Sequence, residues 1–238
     1  PVSNEFLYDY EIDWGDGAVD TDVVAGVTHT YATAGTYQVS ISGNFPRIYF
    51  NESGDAAKLL NIKKWGDIEW ASMESAFAGC SNLAVGAADA PNLSNVTSLN
   101  RMFYNCNYTF NNANAREFPN FNGVENFDSW DVSTITDMSH MFDKSSFNQD
   151  IPSWDVSNVE DMSYMFFSSS FDKDINSWDV SNVVNMAGLF SSGMFNQNIS
   201  DWDVSSVVNI DFIFNSTYFN HDITGWNVVN LVSMRHAF

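Results

Sequence analysis

The chain has 238 residues and a formal net charge of −21, from 30 acidic and nine basic side chains. Apolar residues make up 45% of it, with 20 Phe, nine Tyr and eight Trp, so the chain can bury a core and wholesale disorder is not expected. This charge repels nucleic acid and anionic lipid and favours cations or basic protein partners, although acidity also keeps extracellular proteins soluble. No stretch approaches the roughly 18 apolar residues of a membrane span.

Residues 1–45 are predicted to form a small β unit. The alternating segment 6–14 is typical of a strand, the turn Gly15-Asp16-Gly17 follows it, and residues 37–41 are predicted to form a second strand. A β unit in this place would cover the open apolar end of a repeat array. We therefore divide the chain into an N-terminal cap, 1–45, and a repeat region, 46–238.

The first part of the repeat region, 46–126, is irregular. It contains degenerate copies of the later repeat and an Asn-rich insertion at about 107–125. Cys80 and Cys106 each follow a Phe by three residues, so they occupy the same position in neighbouring copies. Two interpretations stay open: a disulfide between neighbouring copies, or two buried thiols that fill one core position.

The second part, 127–238, is a regular repeat of 24 residues, and a period of this length predicts a solenoid. In the copy that contains Trp154, the start alternates like a strand, and the spacing of apolar residues over 159–166 is helical. Ser157 with Glu160 matches a capping box at the start of that helix. The predicted fold class is an α/β solenoid of the leucine-rich-repeat type. Its short strands would form a parallel sheet on one face, short helices or 3₁₀ turns would cover the other, and the small β unit would cap its N-terminal end.

Residues at equivalent positions of successive copies form columns, and three columns are predicted to be core. The parity of the strand sends Trp and Val inward, which argues against a Trp platform for sugars, and Phe ends the apolar pattern. The columns are Trp130, Trp154, Trp178, Trp202 and Trp226; Val132, Val156, Val180, Val204 and Val228; and Phe142, Phe166, Phe190, Phe214 and Phe238.

The outward column beside each Trp is the candidate binding site, and we call it the Asp column: Asp131, Asp155, Asp179, Asp203 and Asn227. Its members would lie about 4.8 Å apart, where like charges are destabilising. A functional interpretation is a line of carboxylates that binds Ca²⁺ or basic side chains. A structural interpretation is that each Asp accepts hydrogen bonds from nearby backbone N–H groups or Ser hydroxyls. Both stay open.

The repeat Trp-Asp-Val-Ser-x-Val-x-x-Met-x-x-Met-Phe, with the Phe-Asn-Gln-Asp-Ile of 147–151, resembles BspA-like leucine-rich-repeat surface proteins of bacteria over about 60–238. The segments 14–17 and 29–39 resemble the signature of a PKD domain, an extracellular immunoglobulin-like sandwich. These resemblances imply a secreted or surface-anchored bacterial protein that acts in adhesion or recognition. The family has no agreed catalytic residues to carry over.

The sequence therefore predicts a non-enzymatic module that recognises a protein or glycan, with no nucleic-acid partner. The alternative is a structural stalk of a larger surface protein that Ca²⁺ stiffens. His140 and His236 share a repeat position but are four copies apart, and no Ser-His-Asp, zinc or phosphate-loop spacing occurs. Because the chain starts at Pro1 without a signal peptide, we interpret it as a fragment or mature chain with export signals elsewhere.

Overall fold

The computed structural model describes residues 6–106 and 126–238. Its largest sheet lies in the N-terminal unit, where strands β1 (Asp9–Asp13), β2 (Val19–Val23) and β3 (Ser40–Asn44) pair antiparallel in the order β2-β1-β3. Tyr10 and Ile12 of β1 alternate with exposed neighbours and point into the core, as period-2 patterning requires. The predicted strand in 6–14 is confirmed by β1, the one predicted at 37–41 overlaps β3 only at residues 40 and 41, and β2 was not predicted.

The remaining regular elements are short. A 3₁₀ helix, Ala56–Lys58, precedes a two-stranded parallel pair, β4 (Asn61–Ile62) and β5 (Ala84–Val85), and a second 3₁₀ helix covers Phe127–Ser129. Turns and irregular backbone make up the rest, and the described residues contain no α-helix.

The predicted fold class, an α/β solenoid of the leucine-rich-repeat type, is wrong. Neither the parallel sheet of strands nor the row of short helices that define it is present in residues 6–106 and 126–238. Successive copies are instead joined by single-residue parallel bridges, and the regular copies share one bridge position. These bridges are Ser98–Asp137, Asp137–Asp161, Asp161–Asn185, Asn185–Asn209 and Asn209–Ser233.

Left-handed residues prevent the predicted helix. Tyr164 and Ser168, four residues apart, have φ of 56° and 53°, a conformation that costs L-residues about 1–2 kcal/mol each and breaks a right-handed helix. The capping box is also absent, because the Ser157 hydroxyl donates to Asp155 Oδ1 at 2.6 Å. The same pair of left-handed positions recurs in other copies: Ser75 and Gly79, Arg101 and Asn105, His140 and Lys144, Gly188 and Ser192, and Phe212 and Ser216.

The backbone N–H groups between these positions alternate between two kinds of partner. Over residues 138–145, one set closes tight turns within the copy, as in Met141 N–H to the Met138 carbonyl at 3.2 Å. The other set donates to the following copy, as in His140 N–H to the Ser163 carbonyl at 2.9 Å. Because turns and neighbouring copies together satisfy the backbone, the copies need neither helices nor extended strands.

The three predicted core columns are confirmed except at their C-terminal members. Trp154 and Trp178 are buried and stack at 6.3 Å, and the Trp178 indole N–H donates to the Ile151 carbonyl at 3.1 Å. The ring and its N–H therefore fix one copy on the one before it. The prediction is wrong for Val228 and Phe238, which are exposed in the copy that ends at residue 238.

Residues of the N-terminal unit pack against the first copies. Phe45 contacts Tyr10 at 4.9 Å between ring centroids and Trp70 at 6.3 Å, so the two cores are continuous. Asn51 N–H donates to the Ser75 carbonyl at 3.2 Å. The division of the chain into a cap and a repeat region stays a prediction, and the predicted insertion at about 107–125 lies outside the described residues.

Candidate binding surface

The Asp column is exposed, as predicted, and each Asp closes a local turn. Asp131 Oδ1 accepts the backbone N–H of Ser133 at 3.1 Å and its hydroxyl at 2.6 Å. Asp155 does the same with Ser157, and Asn227 Oδ1 accepts the Val229 N–H at 3.3 Å. These are the hydrogen bonds that the structural interpretation predicts.

The hydrogen bonds stabilise the charged form of these carboxyls. The Ser181 hydroxyl and backbone N–H lower the pKa of Asp179, and Ser205 lowers the pKa of Asp203 in the same way. Only Oδ1 is engaged, and no donor among the described residues reaches Oδ2 of Asp179. One oxygen of each carboxylate thus maintains the turn while the other faces solvent, and the binding role of the column stays a prediction.

The described residues contain no group of three His, Cys, Asp or Glu side chains that could hold a metal ion. Ca²⁺ takes six to eight oxygen ligands, whereas the Asp column offers one free oxygen per copy. The geometry of residues 6–106 and 126–238 therefore gives the Ca²⁺ interpretation no support.

Cys80 and Cys106 are free, buried thiols. The Cys106 thiol donates to the Phe77 carbonyl at 3.1 Å, and burial raises the pKa of Cys80 to about 12. The same column holds Ser145, whose hydroxyl accepts the Phe147 N–H at 3.3 Å. Small side chains thus occupy this position in the turn of each of these copies. This agrees with the interpretation that Cys80 and Cys106 are buried thiols.

The segment that resembles a PKD signature forms an aromatic cluster on the N-terminal sheet. Trp14 and His29 stack at 4.9 Å, and His29 Nε2 lies 2.8 Å from Asp16 Oδ2. The hydrogen bond from His29 lowers the pKa of Asp16. Tyr31 and Tyr37 stack at 4.1 Å beside them. The rings pack against one another, so the cluster has a structural role. The resemblance to a PKD domain stays a prediction.

A second surface, which sequence reasoning missed, follows the left-handed positions. We call it the variable stripe, and its residues stand two places before and one place after the conserved Phe of each copy. The first set is Arg101, His140, Tyr164, Gly188, Phe212 and His236, and the second is Tyr104, Asp143, Phe167, Ser191 and Asn215. Most of these side chains are partly exposed, but Asp143, Gly188 and Ser191 are buried.

Within a copy, the two stripe residues contact each other. The Arg101 guanidinium lies 3.9 Å from the centre of the Tyr104 ring, and His140 Nδ1 lies 2.8 Å from Asp143 Oδ2. The Tyr164 ring contacts the Phe167 ring edge-on at 5.7 Å. On this backbone, residues three positions apart therefore lie side by side on the surface.

Between copies, the rings of the stripe stack. His140 lies 5.0 Å from Tyr164 with nearly parallel rings, and Phe212 lies 5.3 Å from His236. Gly188 stands between these two pairs and is buried, because the Tyr164 ring lies over it in the place that a Cβ would take.

One end of the stripe carries positive charge in this acidic protein. Lys144 Nζ donates to the Tyr104 hydroxyl at 3.0 Å, which raises the pKa of Lys144. Arg101 pairs with Glu52 at 2.5 Å, whereas no carboxylate among the described residues lies within ion-pair distance of Lys144. Cationic and aromatic groups together favour anionic or ring-bearing partners here.

A sequence signal for the stripe was present. The residue two places before each recurring Phe changes type from copy to copy, whereas the position between it and that Phe is always apolar. Without the left-handed backbone, however, this position looked like one side of a helix. Only the shared position of His140 and His236 was apparent.

No helix among the described residues has the length and apolarity needed to cross a membrane.

The sequence profile of a family described as "Mycoplasma protein of unknown function, DUF285" matches residues 48–117, 71–170, 106–194 and 168–238. The overlapping matches extend from residue 48 to 238 and leave only the N-terminal sheet region unmatched. The chain therefore belongs to this repeat family. No curated protein and no solved structure shows significant similarity to it.

Proposed function

We propose that this chain is a non-enzymatic recognition module, secreted or exposed on a bacterial cell surface, that binds a protein or glycan through the variable stripe and the adjoining surface. Membership of a repeat family fits a binding role, because equivalent positions of successive copies are bridged to one another and so place their side chains in rows. The resemblance of the repeat to BspA-like surface proteins supports the location and the adhesive role.

The observation that carries the proposal is the contrast between a constant frame and variable side chains. At the stripe position the backbone φ stays between 50° and 62° from Ser75 to His236. The side chain there is nevertheless Ser, Arg, His, Tyr, Gly, Phe or His in successive copies. A frame that needed one residue type would repeat it, as the Trp and Phe columns do, so these positions are free to serve a ligand.

The composition of the stripe fits recognition. Tyr and Arg are enriched at the energetic centres of protein interfaces because they combine large apolar area with a polar end. Tyr104, Tyr164 and Arg101 place such groups in one row. The exposed Asp column adds a negative surface that suits basic groups of a partner.

Catalysis is not part of the proposal. Asp143 orients the imidazole of His140, but no hydroxyl or thiol nucleophile is hydrogen-bonded to His140 among the described residues. Activation of a nucleophile by His requires such a contact.

The test is a binding screen of the purified chain against extracellular-matrix proteins and a glycan array. We expect at least one protein or glycan to bind. Tyr164→Ala should weaken that binding, and Asp155→Asn with Asp179→Asn should weaken it if the negative surface takes part. Ser153→Ala, an exposed change away from the stripe, is the control. Unchanged binding in both Tyr164→Ala and the double variant Asp155→Asn with Asp179→Asn would exclude both surfaces.

A further inference from the structure

We propose that Tyr104, Asp143 and Phe167 form an ammonium slot. Lys144 of the same chain fills the slot, and a lysine side chain of a basic protein partner binds there when it displaces Lys144. This inference rests on the proposed function, since it names the partner chemistry for one part of the variable stripe.

The slot has two aromatic walls. Tyr104, Asp143 and Phe167 each follow the recurring Phe of three successive copies, so the carboxylate stands between two ring positions. The Lys144 ammonium lies 5.1 Å from the centre of the Tyr104 ring and 5.8 Å from that of the Phe167 ring. Both rings are thus within the roughly 6 Å over which an aromatic face attracts a cation.

The third group of the slot is a buried carboxylate. The Asp143 side chain is only 4% exposed, and its Oδ2 lies 2.8 Å from His140 Nδ1. Its Oδ1 is buried without a hydrogen-bond partner among the described residues, which is costly for a charged group. The hydrogen bond to Tyr104 and the charge of Asp143 raise the pKa of Lys144, so the field of the carboxylate reaches the ammonium.

Lys144 is held by contacts that another ammonium can replace. Its Nζ donates to the Tyr104 hydroxyl at 3.0 Å, and its long stem is flexible. The fold does not require a lysine at this left-handed position, since other copies carry Asn or Ser there with the same backbone. These residues are Asn105, Ser168, Ser192 and Ser216.

The charges favour a cation as the incoming group. While Lys144 fills the slot, this end of the stripe is positive; once Lys144 leaves, the same place presents a carboxylate and two rings. Arg101 also lies over the Tyr104 ring, but its charge is paired with Glu52. The net charge of −21 draws basic partners toward the chain. A lysine ammonium is the group whose fit between these rings is observed, and a neutral sugar would leave the charge of Asp143 unbalanced.

The experiment uses two probes, ethylammonium chloride and the peptide tetralysine. Lys144→Ser empties the slot with the residue that Ser168 places at the same position of the next copy. Asp143→Asn, the residue of Asn215 in the same column, removes the charge in the Lys144→Ser background. Lys173→Ser is the matched control, because it removes one positive charge at a lysine that pairs with Asp150 at 3.5 Å, outside the slot.

The first measurement is the melting temperature in about 0.1 M ethylammonium chloride against the same concentration of NaCl. We expect Lys144→Ser to gain about 2–4 °C from ethylammonium, because a ligand that binds only the folded state stabilises it. The unmodified chain, Lys173→Ser and the double variant Lys144→Ser with Asp143→Asn should each gain less than about 1 °C.

The second measurement is tetralysine binding by isothermal titration calorimetry. Lys144→Ser should bind the peptide about fivefold or more tightly than Lys173→Ser does, although both variants have the same net charge. The double variant should lose this gain. An ethylammonium effect or a tetralysine affinity that is equal in Lys144→Ser and Lys173→Ser, or that survives Asp143→Asn, would overturn the slot. Neither result would touch the proposed function, which the separate screen with Tyr164→Ala decides.

Discussion

The middle copies and the copy that ends at Phe238 share the Val and Phe columns, yet they bury these residues very differently. Val204 is 2% exposed and Phe214 is 3% exposed, whereas Val228 is 48% exposed and Phe238 is 70% exposed. The difference teaches that a copy does not bury its own apolar residues. Burial comes from the following copy, which covers the rings and accepts the backbone N–H groups that point toward it.

The largest expected effect is at the Phe column. Phe166 is buried and stacks with Phe171 at 4.0 Å and with Phe190 at 6.0 Å, so Phe166→Ala should lower the free energy of unfolding by about 3–5 kcal/mol. Phe238→Ala, the matched change in the last copy, should cost less than about 1 kcal/mol. Urea unfolding followed by circular dichroism measures both, and equal losses would contradict the comparison.

The Trp column should show a smaller difference of the same kind. Trp178→Phe leaves the buried Ile151 carbonyl without its indole donor and should cost about 1–3 kcal/mol. Trp226 makes the equivalent bond to Ile199 at 3.1 Å, but it is partly exposed, so water can replace the donor. Trp226→Phe should therefore cost clearly less in the same unfolding assay. A larger loss at Trp226 would mean that the last copy is more tightly packed than its exposure indicates.

Acid should loosen the junction between the last two copies. Asp211 Oδ1 accepts the Ser233 hydroxyl at 2.5 Å and the Arg235 N–H at 2.6 Å, and Arg235 lowers the pKa of Asp211 to about 2. Because this pKa is depressed in the folded state, its contribution to stability is present above pH ~3.9 and is lost as pH falls toward 2.

The measurement compares melting temperatures from pH 5 to pH 2 for the unmodified chain and for Asp211→Asn. The Asp131, Asp179 and Asp203 carboxyls, whose pKa values are also lowered, act in the same direction in both proteins, so the difference between the curves isolates Asp211. We expect the variant to lose less stability over this range. Parallel curves would show that the Asp211–Arg235 contact does not stabilise the junction.

The smallest expected effect is that of Ca²⁺. The melting temperature should change by less than about 1 °C between excess Ca²⁺ and a chelator, because a ligand stabilises a protein only if the folded state binds it. A rise of several degrees that Asp155→Asn with Asp179→Asn abolishes would instead restore the stalk interpretation. The double variant is therefore the control that tells binding of Ca²⁺ by the Asp column from binding elsewhere.

The pattern of the sequence was enough to place most of the core. Inward Trp154 and Val156 with an outward Asp155 between them require only alternation, which turns and strands share over three residues. The hydrogen bonds of the Asp column were also predictable, because Asp followed two residues later by Ser is a local turn motif.

The helix prediction failed because apolar spacing does not specify handedness. Residues three and four apart meet on one face of a helix, and they also meet where a chain makes successive tight turns, as Met162, Met165 and Phe166 do. Tyr164 and Ser168 give no warning of φ near +55°, since neither is Gly or Asn. The variable stripe depends on the left-handed backbone at positions such as Tyr164, so a sequence analysis that did not predict this backbone could not find the stripe.

The sequence by itself determined the period, the inward columns and the position that Cys80 shares with Cys106, because these follow from residue type at fixed spacing. The tertiary structure alone decided the backbone of each copy. The N–H of His140 could close a helix or reach the Ser163 carbonyl, and only the presence of the following copy at 2.9 Å selects the second. That choice brings the rings of the stripe into a row, as His140 on Tyr164 and Phe212 on His236 show.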